Sequence, residues 1–355
     1  MFLKNLILAG LALSSFLLTS GWIRSQLPPD PGDERAMKLA YLAEHAPGAT
    51  ALIFGSSVIL HGVIPQIVDE LAGEVEPDFR CLNAGVSGMR DFEEDQFIRE
   101  VLELPGVNPR WIFVSPSEFR VTVPERYLDT DRTLRWHDFR QTSRALLLSL
   151  EGLQPELRVD NDWAMYHVRK YFHRLSNYGQ IERLLGGLGT YEPTFPVDEG
   201  TLAEAGGFLP IEVALGRVGE LHAMSFPDQM EEYERRVAEL PNKPMRSLTK
   251  ASLALFRRQQ AWLEQQADHL IYLMPPYPYG GLYAGQLHRD GEAPYCIDFV
   301  QPLVYPELYA IEHRYDPYHT NLDGAKVFSR LLGERIAEEL TKIRADEEMA
   351  ALEAR

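Results

Sequence analysis

Hydrophobic positions fall along this chain in two rhythms. Thr50–Phe54, Arg110–Ser115 and His269–Met274 are short, almost continuous apolar runs, the pattern of strands covered on both faces. Phe79–Asn83 and Ile297–Val300 are weaker runs of the same kind. Between them the spacing turns helical. Asp33–His45 reads as a short helix, Pro65–Leu71 opens on a proline suited to a first helical position, and Asp91–Leu104 puts acidic residues in its first turn. Helical spacing returns over Pro227–Leu240 and Ser247–Gln266. In a last helix, Asn321–Ile343, it sets Ala325, Phe328, Leu332, Ile336 and Leu340 on one face. The β-α-β-α-β order of the first half predicts a parallel sheet with helices on both faces, an α/β fold of three layers.

That order lapses from about Val121 to Phe226. The segment is helix-like and rich in aromatics, Trp136, Trp163, Tyr166, Tyr171 and Phe172 among them, with glycine breaks near Gly186 and Gly206. The expected organisation is a core of residues 49–123 and 247–343, a helical insertion or cap over 124–246, and a charged, frayed tail over 344–355. Residues 26–48 supply a Pro-rich linker and the first short helix.

Residues 1–25 stand apart. Nineteen positions from Asn5 to Ile23 carry no charge, with Lys4 before them and Arg24 after. The run is just long enough to cross a hydrocarbon layer of about 30 Å, and Leu6–Leu18 has the length of a secretion-signal core. Thr19-Ser20-Gly21 supplies small residues at a cleavage position, so signal peptide and uncleaved anchor both remain open. Either reading predicts export, to the outer face of the cell membrane or beyond it. A membrane is then one expected partner, reached through this segment.

Composition narrows the chemistry. The chain has 355 residues and a net charge of −17, which disfavours nucleic acid or anionic lipid headgroups as the main partner. Cys81 and Cys296 are its only cysteines; they leave one disulfide or two buried thiols as alternatives and exclude a cysteine metal cluster. His313 and His319 have no companions at metal-ligand spacing, so neither a metal nor another cofactor is expected.

Two short motifs carry the candidate chemistry. Ala51-Leu-Ile-Phe-Gly-Ser-Ser57 runs a buried strand into a polar turn, and Tyr315-Asp316-Pro-Tyr-His319 precedes the last helix. A serine hydroxyl becomes a nucleophile when a base takes its proton and a third group orients that base. Ser57, His319 and Asp316 supply those three roles. Taken singly, each motif has an ordinary reading, a strand-ending turn for one and a solvated loop with a capping histidine for the other. In open parallel sheets, ligands bind beyond the carboxyl ends of the strands. The turns at Ser57, Gly88 and Ser117 each follow one of the first three strands. His61, Arg90 and Asp91 flank these turns, and the Tyr277–Tyr283 aromatic loop could stack on a sugar ring.

In order and context these motifs resemble the SGNH (GDSL-type) hydrolase family over about Ala51–Val123 and Leu253–Leu340. The resemblance implies a flavodoxin-like catalytic core, with Ser57 as nucleophile, His319 as general base and Asp316 as its orienter. It implies an oxyanion hole from the backbone N–H groups of Ser57 and Gly88. The family's third block carries an asparagine; here the strand ends Val114-Ser-Pro-Ser-Glu-Phe119, and the Ser117 hydroxyl is the candidate replacement. Asn83, Arg90 and Tyr318 are the candidate substrate contacts. The closest subgroup in pattern consists of membrane-anchored proteins that help transfer acyl groups onto cell-surface polymers. Its likeness implies an acylated glycan or surface polymer as substrate and a membrane acyltransferase as partner. The expected function is serine-dependent ester chemistry, as an esterase, a deacetylase or an O-acyltransferase, with a non-catalytic glycan-binding or scaffold protein of the same fold as the alternative.

Overall fold

A computed structural model of the protein describes residues 2–26, 34–128, 130–151, 161–178, 199–243, 247–278 and 283–353. The chain forms two compact units, Met1–Asp33 with Phe119–Thr194, and Glu34–Glu118 with Phe195–Arg355. Residues 195–246, expected to belong to the insertion, thus cluster with the sheet instead.

The larger unit is built on five parallel strands: β1 (Ala51–Gly55), β2 (Cys81–Gly85), β3 (Trp111–Val114), β4 (His269–Met274) and β5 (Cys296–Asp298). They lie in the order β2-β1-β3-β4-β5, all parallel. Strand order reverses between β1 and β3, the place where such sheets open a crevice. Alternate side chains leave the sheet on opposite faces. Ala51 and Ile53 join Val68 of α4 (Pro65–Ala72) with Phe328 and Leu332 of α13 (Leu322–Glu353). Leu52 and Phe54 join Tyr41 of α2 (Glu34–His45), Phe97 of α5 (Asp91–Leu102) and Phe256 of α11 (Lys250–Leu263). The stripe expected on the last helix is fully buried, from Ala325 and Phe328 through Leu332 and Ile336 to Leu340. Each of its larger side chains contributes about 1.5–3 kcal/mol of burial, as an upper bound.

Three differences from the sequence pattern have local causes. The second strand lies two residues later than its apolar run, at 81–85. Asp69 Oδ1 accepts the Cys81 N–H at 2.7 Å and fixes where pairing begins. The strand then ends on glycine because a Cβ at Gly85 would stand 2.5 Å from the Leu60 amide nitrogen. A helix expected to start at Pro227 starts sixteen residues earlier, as α10 (Ile211–Glu239), and runs through the proline; the ring forfeits an internal hydrogen bond, while Tyr233 downstream ties the helix down through its hydroxyl to the Tyr309 carbonyl at 2.9 Å. The tail expected to fray is helical to Glu353. Its Ala, Glu and Met residues are good helix formers, and Arg344 anchors it to Glu76 at 2.6 Å. Cys81 and Cys296 are both free thiols.

The smaller unit contains α1 (Phe2–Gln26), α6 (Asp131–Trp136), α7 (Phe139–Glu151) and α8 (Asn161–Ser176). Among the described residues, α1 is the one helix long and apolar enough to cross a membrane, with mean hydropathy 1.9 over Leu3–Ser25. The expected break at Gly186 and residues 279–282 of the aromatic loop lie outside the described residues. Tyr277 of that loop sits with its ring centroid 6.1 Å from Tyr318.

Candidate active site

Strand β1 ends at Gly55, Ser56 follows in extended conformation, and Ser57 is the first residue of a single helical turn, α3 (Ser57–Leu60). The last loop before α13 reaches the same place. Its ends are pinned by an antiparallel bridge between Arg314 and Thr320, and the Tyr315 N–H donates to the His319 carbonyl at 3.0 Å. Gly324 in the first turn of α13 permits this approach, since a Cβ there would fall 2.1 Å from the His313 carbonyl oxygen. Within the loop, Asp316 Oδ1 accepts the amides of Tyr318 at 2.7 Å and His319 at 2.8 Å. The carboxylate therefore holds its own turn while facing the imidazole. His319 Nδ1 lies 2.9 Å from Asp316 Oδ2, and His319 Nε2 lies 2.8 Å from the Ser57 hydroxyl.

Asp316 is buried, whereas Ser57 is half-buried and the His319 side chain retains 19% of its exposure. Burial raises the Asp316 carboxyl, but the hydrogen bonds from His319 and the Tyr318 amide outweigh it and hold the group below the usual carboxylate range. An ionised carboxylate accepts Nδ1–H and leaves Nε2 free to take the serine proton. The three residues expected from opposite ends of the sequence are thus a continuous hydrogen-bonded relay, reachable from solvent.

The other candidate residues divide. Gly88 follows β2 in left-handed conformation, φ +62°, and Ser117 follows β3. The registers Gly55↔Gly85 and Phe54↔Val114 make both turns leave the sheet edge from which Ser57 leaves. Ser117 is buried and its hydroxyl has no hydrogen-bond partner. Arg90 is exposed at the start of α5, and Tyr318 is half-buried beside His319, ring centroids 6.3 Å apart. Asn83 is a correction. Expected to touch substrate, it is fully buried, and its amide donates to the Ile59 and Val63 carbonyls at 2.8 Å each while its oxygen accepts the Gly85 N–H at 2.9 Å. It clamps α3 to β2 and has no reach to a ligand.

Sequence reasoning underrated His61. It caps α3 four positions after Ser57, one helical turn on, and that spacing is the signal that could have found it. Its ring meets that of His319 edge-on at 5.7 Å. Nδ1 lies 2.7 Å from the Leu209 carbonyl, so Nδ1 carries the proton and Nε2 accepts from the Ser87 hydroxyl at 3.4 Å. Burial first, and the proximity of His319 second, push His61 down to about 3. Behind it, Lys38 is fully buried and donates to the carbonyls of Asn83 and Gly207. Burial pushes Lys38 down to about 7 against the opposing pull of Glu34.

Comparison with protein-family models, with curated proteins and with solved structures returned no match. What the fold and site define by themselves is an α/β protein with a five-stranded parallel sheet, carrying a Ser-His-Asp relay at its carboxyl edge.

Proposed function

We propose that this protein performs serine-dependent acyl-ester chemistry through a covalent acyl-Ser57 intermediate. The observation that carries the reading is the 2.8 Å contact of Ser57 with His319, continued at 2.9 Å to a buried Asp316. In the forward half, His319 Nε2 takes the hydroxyl proton as Ser57 Oγ attacks the acyl carbonyl. Collapse of the tetrahedral intermediate breaks the ester C–O bond, and the leaving alkoxide receives the proton from His319. Water or an acceptor hydroxyl then repeats the sequence against the acyl-serine, giving hydrolysis or transfer. Oxyanion stabilisation is assigned to the Ser57 and Gly88 N–H groups together with the Ser117 hydroxyl. A buried hydroxyl without a partner suits a donor that finds its acceptor only as the oxyanion forms, when it supplies up to about 3 kcal/mol.

The strand order β2-β1-β3-β4-β5 is the flavodoxin-like doubly wound order, which supports the SGNH-type reading of the core. With α1 as an export segment, the proposed substrate is an acylated glycan or cell-surface polymer on the outer side of the membrane.

Labelling of the full chain with a fluorophosphonate probe tests the reading. Wild type reacts at one serine, and Ser57→Ala and His319→Ala abolish the adduct while both variants keep the wild-type melting transition. Folded wild type that fails to react with either a fluorophosphonate or a small acetyl ester overturns it.

A further inference from the structure

Helix α7 turns much of its apolar surface outward. Gln141, Thr142, Arg144 and Ser149 are buried together with Ala145 and Leu148, while Phe139, Leu147 and Leu150 are 74, 54 and 57% exposed. Helix α8 is mixed: His167 and Lys170 are buried beside Tyr166, and Met165 and Phe172 are 65 and 59% exposed on a face that also carries the exposed Asp162 and Arg169. Part of this buried polar set is paired, Arg144 with Gln141 at 3.4 Å and Ser149 with the Ala145 carbonyl at 2.8 Å, while the Thr142 hydroxyl has no partner. The Thr133 carbonyl, His137, His167 and the Val121 carbonyl form a chain with successive separations of 2.6, 2.9 and 2.9 Å. Soluble helices put apolar side chains inside and polar ones out. Polar residues turned inward with apolar residues turned outward is the arrangement that helices adopt against lipid.

A second observation says what covers this face. Ser20 and Arg24 of α1 are joined to the end of α8 in the same compact unit. Asn177 Nδ2 donates to the Ser20 carbonyl and hydroxyl at 2.9 Å each, and Arg24 Nε donates to Asn177 Oδ1 at 3.2 Å. Ser20 and Arg24 add bonds to the Leu175 and Arg174 carbonyls. Trp22, at this same end of the apolar run, is 66% exposed, where interfacial tryptophans sit. The α7–α8 pair is thereby fastened at the level where α1 would leave a bilayer. Its helices, of 13 and 16 residues, are about 20 and 24 Å long at 1.5 Å per residue, too short to cross about 30 Å of hydrocarbon. Charge agrees with position: α6, α7 and α8 carry seven Arg and Lys against three Asp and Glu in a chain of net charge −17, and apart from the buried Arg144 and Lys170 these cations suit anionic headgroups.

We propose that α1 is retained as an anchor and that the α7–α8 pair lies in the interfacial zone of the same membrane, with Phe139, Leu147, Leu150, Met165, Phe172 and Tyr178 turned toward lipid. Ser20 lies within the candidate cleavage site yet is buried, helical and bonded to α8, which fits a segment that stays. The assignment stands independently of the acyl chemistry at Ser57. Amphipathic interfacial helices bind in this way, with the apolar face about 5–10 Å into the headgroup boundary.

The test places p-benzoylphenylalanine in place of Phe139, Leu147 or Phe172 in the full chain, with Leu11 as the spanning control. Irradiation is carried out in nanodiscs of phosphatidylethanolamine and phosphatidylglycerol and in the membranes of the producing cells. The expected result is a mass increment of one phospholipid at all four positions. Three results would overturn the proposal: lipid adducts at Leu11 alone, adducts to another protein at the three hairpin positions, or a membrane-purified chain that begins after Gly21.

Discussion

The imidazole of His61 meets that of His319 edge to face, with ring centroids 5.7 Å apart and planes at 83°. His61 is locked by the Leu209 carbonyl on one side and the Ser87 hydroxyl on the other, so it acts on His319 as a wall of fixed orientation. His61→Phe should lower kcat on a small acetyl ester by about tenfold with little change in KM. Because His61 is held near 3, the acid limb of the pH–rate profile should stay where it is. A shift of that limb would mean that His61 titrates together with His319.

Asp316→Asn replaces the acceptor facing His319 Nδ1 with an amide that can present its NH2 group there. The wrong tautomer then faces Ser57, and kcat should fall by roughly 10²–10⁴-fold. The turn should survive, since the remaining amide oxygen can still accept from Tyr318 and His319. Comparing kcat with the melting temperature separates the two effects: activity within tenfold of wild type would remove Asp316 from the relay.

Asn83→Leu keeps volume and removes every hydrogen bond of a buried amide. The Val63 carbonyl and the Gly85 N–H lose the side-chain partner, at about 1–3 kcal/mol each where no water replaces it, while the Ile59 carbonyl keeps the Gly62 and Val63 amides. Denaturant titration should therefore show a loss of several kcal/mol. Wild-type stability combined with a raised KM would instead restore Asn83 to the substrate site.

Stability should fall steeply on mild acidification. Burial pushes His61 and His137 down to about 3 and His167 to about 4, all below an unfolded value near 6.5. The stability that these depressed groups contribute is complete above pH ~6.5 and is lost as pH falls through their folded values. Glu94 runs the other way: burial first, then the charges of Asp91, Glu93 and Asp95, push it up to about 8, so its contribution is complete below pH ~4.5 and is lost as pH rises through about 8. Between pH 6.5 and 4.5, unfolding takes up a net of about two protons, or about 3 kcal/mol per pH unit. Urea midpoints measured across that interval provide the check, and a flat profile would contradict the burial of these histidines.

Much of the framework is legible in the chain alone. Strands such as Ala51–Gly55 and His269–Met274 declare themselves because a strand covered on both faces must be apolar at every position. The stripe from Ala325 to Leu340 marks the last helix because one face of it must be buried. Ser57, Asp316 and His319 stand out as residue types in suggestive turns, and the order of elements predicts a parallel sheet. These are local properties, written in neighbouring side chains. What only the tertiary structure decided depends on residues far apart meeting. The relay closes across 262 positions because the strand order brings the first and last loops to one edge. Asn83 becomes a clamp because α3 folds its carbonyls onto it, and His61 becomes part of the site because Leu209 and Ser87 close around its ring. Burial of a polar side chain is favourable only when distant partners satisfy it. No local pattern in the sequence specifies those partners, so the buried polar groups of α7 and α8 emerge only once the helices are packed.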